Sequence, residues 1–305
     1  MQKIMIILLF MIVSITWGTT FMAMKIAVNT IPPLFITGVR FLLTSLLLIY
    51  ICYYTNTSLF FPRGEKIFQI IVCIFYFIIP FSFMLYGGTY VNSIIASAIF
   101  ANMPIMVLLF SFLFFDRKLC YMQHIGLMLA ILFLSMILFQ EIKLGNIKTI
   151  NGIVVLVLAM MSHAIIYLYS QEKCSKISVL TFNALPSFFS GLFLLCISNI
   201  VEHPIFHNFS FASILATLYL SYVSGVFGIL SYFYLQKQVS SFHASMVFFI
   251  FPFITLILEK LIYGNSLCIH QLKLLTFLMS SIFLTLVPFN YKKIRNYIKN
   301  IRRKL

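Results

Sequence analysis

Hydropathy along this chain falls into long apolar runs separated by short polar breaks. Ten runs stand out, at about residues 4–28, 34–54, 67–86, 90–115, 120–140, 150–170, 178–200, 211–235, 239–263 and 269–289. Each is about 20 residues or slightly more, enough for a helix rising about 1.5 Å per residue to cross ~30 Å of hydrocarbon. Lipid cannot satisfy open backbone groups, so uninterrupted runs of this length predict helices. Pro32 and Pro33 close the first turn, and Pro62, Arg63, Gly64, Glu65 and Lys66 mark the break before the third run. The first run is longer than a signal-peptide core and carries no small-x-small cleavage pattern, so it reads as the first span. The pattern predicts an all-α polytopic membrane protein with ten transmembrane helices.

One stretch occurs twice. Residues 91–104 read VNSIIASAIFANMP and residues 239–252 read VSSFHASMVFFIFP, an ungapped offset of 148. Val91/Val239, Ser93/Ser241, Ala96/Ala244, Ser97/Ser245, Phe100/Phe248 and Pro104/Pro252 match, and Leu119/Leu267, Cys120/Cys268 and Gln123/Gln271 continue the register. Matching Pro, Cys, Gln and Ser at one offset implies a duplication, and the offset is half the chain rather than a solenoid unit. The predicted organisation is therefore a first five-helix repeat over 1–145, a second over 146–290 and a tail over 291–305. Five spans is an odd number, so the second copy enters the membrane inverted. Inverted repeats are a physical route to alternating access, because exchanging the conformations of the halves exchanges the open side.

Composition agrees with the membrane reading: 62% of residues are apolar and 9% charged, against about 25% charged in soluble domains. The net charge of +15 is mostly a topological bias. Lys3, Arg63, Lys66, Arg117, Lys118, Lys173, Lys176, Lys237 and the basic tail fall on one side of the predicted spans, and only Lys143 and Lys148 on the other. The positive-inside rule then places both termini in the cytoplasm, as a multi-pass protein of the inner membrane. Nucleic-acid binding is not implied. In the tail, Ile294, Ile298, Ile301 and Leu305 share a helical face among basic residues, the pattern of a surface-lying cytoplasmic helix.

Enzyme chemistry finds little material. Six acidic residues are scattered, no Walker A motif is present, and Ser190-Gly191 and Ser224-Gly225 lack the preceding glycine of a rhomboid-like serine motif. The six cysteines form no CxxC pair, which argues against a zinc site or a disulfide framework. No cofactor is expected, and the chain reads as a transport protein rather than an enzyme. A membrane channel or sensory receptor is the alternative, with an intramembrane enzyme further off.

Several residues are candidates for transport chemistry. A helix-interior proline removes one hydrogen bond, so Pro104 and Pro252 would free the carbonyls of Phe100 and Phe248 near mid-membrane and act either as hinges or as packing kinks. Asn102 lies at similar depth and reads as an interhelical tie or a substrate contact. His163, near the middle of the sixth run, either packs or offers its imidazole to substrate or to a proton. Charges within spans are costly and usually paired. Arg40 is the deepest, and Glu259 is its expected carboxylate partner, although a nearby lysine could serve. Lys25, Lys260 and Lys273 lie close enough to the surface to snorkel.

The segments WGTTFMAMK at 17–25 and PP…GVRFLLTS at 32–45, the Pro104 region with FFDRKLCYMQHIGLMLA, and residues 150–290 together resemble ten-helix drug/metabolite transporters of the EamA type. The resemblance covers essentially the whole chain. Asp116 occupies the family's acidic position after the fourth helix, whereas Gly264 holds the equivalent place in the second half. His163 stands where an aromatic residue is common. The resemblance implies a secondary transporter, often an exporter of amino acids or other small metabolites. Helices one, three, six and eight would then surround the cavity, which puts Trp17, Phe21, Tyr86, Tyr167 and Tyr234 at the substrate. The implied partners are a small-molecule substrate, the lipid bilayer and a proton or other coupling ion, with the protein a monomer or a homodimer.

Overall fold

The computed structural model describes residues 2–115, 118–173, 177–264 and 268–286. Among them, nine helices are long and apolar enough to cross a membrane: α1 (Lys3–Ala27), α2 (Pro33–Tyr54), α3 (Lys66–Gly88), α4 (Ser93–Phe114), α5 (Tyr121–Lys143), α6 (Ile147–Gln171), α7 (Val179–Val201), α8 (Phe211–Gln238) and α9 (Ser241–Tyr263). A tenth apolar helix follows, α10 (Ile269–Leu286). No strand occurs among the described residues. The expected tail helix and Asp116 lie outside the described residues.

The helices pair in a pattern that reproduces itself. α2 packs along α7, α5 along α10, α3 along α6, α4 against α9 and α1 against α8. Replacing each helix by the one five places away returns the same five pairs. That is the arrangement of two repeated halves facing each other, and their odd span number makes them inverted. The α2–α7 crossing is close because both helices contribute glycine. A Cβ on Gly191 would lie 2.9 Å from the Leu42 backbone nitrogen and 3.0 Å from the Gly38 carbonyl oxygen.

Duplicated residues do duplicated work at helix starts. Gln123 accepts from the Cys120 backbone N–H at 3.0 Å, and Gln271 accepts from that of Cys268 at 3.3 Å. The repeated Cys-x-x-Gln thus satisfies otherwise orphaned donors at the starts of α5 and α10. Ser97 and Ser245 each donate to the carbonyl three residues back, at 2.7 Å, on Ile94 and Phe242. Where the halves differ at Gly264, the backbone explains it. Gly264 ends α9 at φ +68°, a left-handed cap that glycine adopts without steric cost.

Four central spans are irregular. α3 contains a π-helical segment at Cys73–Ile78, and α8 contains one at Leu220–Gly228. At the 148-residue offset the first maps onto residues 221–226, inside the second. α4 breaks between Ser93–Ala101 and Met103–Phe114, and α9 passes through a 3₁₀ stretch, Met246–Ile250, before Phe251–Tyr263. Pro104 and Pro252 therefore do not sit in unbroken helix. Each occupies the first turn of the segment after the irregularity, where a missing N–H costs nothing. The irregular turns just before them are already accommodated: the Asn102 N–H bonds Ile99 O at 3.0 Å, and the Phe251 N–H bonds Phe248 O.

Candidate functional site

A π-helical turn withdraws carbonyls from the usual ladder, and such turns recur at functional sites. Here the neighbouring helices supply the donors. Ser190 on α7 donates to Cys73 O at 3.1 Å, and Thr44 on α2 donates to Ser221 O at 2.7 Å. His163 Nε2 on α6 bonds Tyr76 O at 3.2 Å, and Trp17 Nε1 on α1 bonds Ser224 O at 3.1 Å. A carbonyl can only accept, so Nε2 of His163 carries a proton. The two sets are equivalent. Cys73/Ser221 and Tyr76/Ser224 are 148 apart, while Trp17/His163 and Thr44/Ser190 are 146 apart. His163 and Trp17 thus perform the same task in the two halves.

Between these turns lies a small cavity of about 30 Å³ lined by Trp17, Thr20 and Phe21 of α1, Arg40 of α2, Phe81 and Met84 of α3, Phe100 of α4, His163 and Tyr167 of α6, Ser224 of α8, and Phe248 and Phe251 of α9. None of these residues is more than 8% exposed. Trp17 stacks on Tyr232 with centroids 4.9 Å apart, and Tyr232 and Tyr167 meet at 4.6 Å. Phe21 contacts Phe100 at 5.5 Å and Phe251 at 6.0 Å.

Of the sequence-derived candidates, Trp17, Phe21, Phe100, His163, Tyr167 and Phe248 come together at this cavity. Tyr86 and Tyr234 do not: they are 42% and 46% exposed. Each lies two residues from a buried position, Met84 and Tyr232, hence about 200° around its helix. Asn102 is buried but turns back on its own helix, donating to Ala98 O at 2.9 Å. It is neither an interhelical tie nor a lining residue. The expected Arg40–Glu259 pair is not formed. Lys25 reaches Glu259 instead, at 2.7 Å, and its ammonium also lies 4.2 Å from the Tyr263 ring centroid. Arg40 is 1% exposed and bonds Ser224 Oγ through Nη2 at 3.2 Å. The reach of Glu259 is decided by depth: it stands at the level of Lys25, near the loop end of α9, whereas Arg40 faces the α8 turn. Sequence reasoning missed Thr20, Phe81, Met84, Ser224 and Phe251.

Two polar closures flank the cavity. One turn beyond Phe21 is the Lys25–Glu259 pair joining α1 to α9. One turn beyond Tyr167 is Gln171, which accepts from Ser241 Oγ at 2.7 Å and donates to Val239 O at 3.1 Å. Gln236 completes that end, donating to Tyr167 O at 2.6 Å and Ser241 Oγ at 2.9 Å. Lys25 and Gln171 are again 146 apart, so equivalent positions close opposite ends, one with an ion pair and one with amides.

A polytopic helical membrane protein, duplicated and closed around a central cavity, is the class these features define. The sequence model of the EamA-like transporter family matches residues 4–139 and again 150–287, and the chain belongs to that family of transporters. It is 65% identical over 302 residues to the "Uncharacterized transporter in trpA 3'region" of Buchnera aphidicola subsp. Schlechtendalia chinensis, covering 99% of each chain. It is 49% identical to Protein PagO of Salmonella typhimurium, with 95% of each chain covered. It is 24% identical to the uncharacterized inner membrane transporter YedA of Escherichia coli K12, over 83% of this chain and 81% of YedA. A solved crystal structure shares the fold with a TM-score of 0.68 at 13% identity, covering 91% of this chain and 94% of the other.

Proposed function

We propose that the protein is a secondary transporter of the inner membrane that moves a small metabolite, an amino acid or related compound, by alternating access, with export the favoured direction. The observation that carries this reading is the enclosed cavity, lined by both halves and flanked by two closures made from equivalent helix positions. A site shared by two pseudo-symmetric halves is exposed to either side when one closure opens and the other holds. The repeats, 1–145 and 146–290, would move against each other, with both termini cytoplasmic, and a proton or other ion would drive the cycle. Pro104 and Pro252 would serve as hinges, since each follows an irregular turn that can absorb a change of helix direction.

Reconstituted vesicles test this. A carrier loaded with unlabelled amino acid accumulates labelled amino acid transiently, and its flux saturates. Flux that rises linearly without counterflow would mark a channel, and chemical conversion of the compound would mark an enzyme.

A further inference from the structure

Arg40 is a fixed charge buried in the cavity wall with no carboxylate beside it among the described residues. Its Nε and Nη1 find no acceptor among the described residues, and Phe81 covers it with its ring centroid 4.7 Å from Cζ. Taking a guanidinium out of water is costly unless an anion and hydrogen bonds compensate. Glu259 does not supply that anion, being engaged by Lys25. Among the described residues, no aspartate or glutamate lines the cavity.

The direction of the hydrogen bonds adds a second constraint. Arg40 can only donate, so Ser224 Oγ accepts from it. Ser224 then has its own proton for Thr20 Oγ1, 2.8 Å away, and Thr20 passes its proton to Thr16 O at 2.9 Å. The relay consumes both hydroxyl protons and leaves the guanidinium N–H groups as the donors at this part of the wall. Whatever group sits against Arg40 must accept. An ionised carboxylate is acceptor-only, and its charge matches the single cation. A cation would be repelled, and a dianion would bring a second charge with nothing in the lining to meet it. Much of the remaining wall is aromatic, from Phe21, Phe100 and Phe251, and the cavity of about 30 Å³ has room for roughly two waters, so it must widen as the halves move to admit such a body.

Resting on the reading of this cavity as the cargo site, we propose that it selects small monocarboxylates with an apolar or aromatic body, anchored by Arg40. The chain has one tryptophan, Trp17, and it lines the cavity, so binding is readable by its fluorescence independently of transport. The full-length protein in nanodiscs at neutral pH is titrated with 3-phenylpropionate, its neutral amide 3-phenylpropanamide, and 2-phenylethylamine. The acid is expected to perturb Trp17 saturably and to bind about tenfold or more tighter than the amide, the scale of a charge-assisted hydrogen bond, with the amine weakest. Arg40→Gln should erase the preference for acid over amide, and Arg40→Lys should retain part of it. Equal affinity for acid and amide in the unaltered protein overturns the proposal without any variant, as does no response to the acid, or an acid preference that survives Arg40→Gln. Saturable counterflow of neutral or cationic cargo in vesicles, alongside such a result, would leave the transporter reading standing while this one fell.

Discussion

At the residue scale, the halves are joined by side chains answering carbonyls that the π-helical turns release. Thr44 and Ser190 do this from equivalent places. Thr44→Val keeps shape and removes the donor, and Ser190→Ala does the same with the loss of one atom. Each should destabilise the protein by about 1–3 kcal/mol, the usual cost of an unsatisfied buried group, and the two losses should be similar. Thermal unfolding in detergent checks this, and an unchanged melting temperature in both variants would contradict it. His163 was visible as an oddity in an apolar span, and its equivalence to Trp17 was not, because an imidazole and an indole share no pattern beyond the N–H each presents. Arg40 was visible as a buried charge, but a sequence cannot show that Lys25 lies closer to Glu259.

At the element scale, hydropathy placed the spans well, because runs of about 20 apolar residues leave little freedom in how they meet lipid. It could not show where those spans are irregular. π-helical and 3₁₀ turns change hydrogen bonding without changing apolarity, and only the prolines hinted at them. Pro104→Ala and Pro252→Ala restore a backbone donor and remove the steric bar to a continuous helix. Each should impair transport in vesicles more than it lowers folded yield, with little loss of thermal stability. Wild-type transport in both would reduce the prolines to packing details. The Lys25–Glu259 pair joins α1 to α9 with the carboxylate fully buried and the lysine 29% exposed. In a double-mutant cycle with Lys25→Met and Glu259→Gln, the double should cost less than the sum of the singles, because either change alone already breaks the pair. Additive losses would show that the pair is not coupled.

At the scale of the whole molecule, the self-reproducing helix pairing and the two matches to one family sequence model describe the same duplication. Orientation in the membrane rests on the lysine and arginine bias. Cysteines introduced at Asn146 and Asn208 should react with an impermeant reagent added outside intact cells, and one at Ser178 should not; labelling at Ser178 alone would reverse the topology. Alternating access requires the two closures to open in turn around one cavity. Spin-label distances across each closure, Asn29 to Tyr263 at the Lys25–Glu259 end and Tyr169 to His243 at the Gln171–Ser241 end, are compared between the otherwise unaltered protein and one carrying Lys25→Met with Glu259→Gln. Removing the ion pair should lengthen the first distance while the second stays short. Lengthening of both together, the behaviour of an open pore, would contradict it.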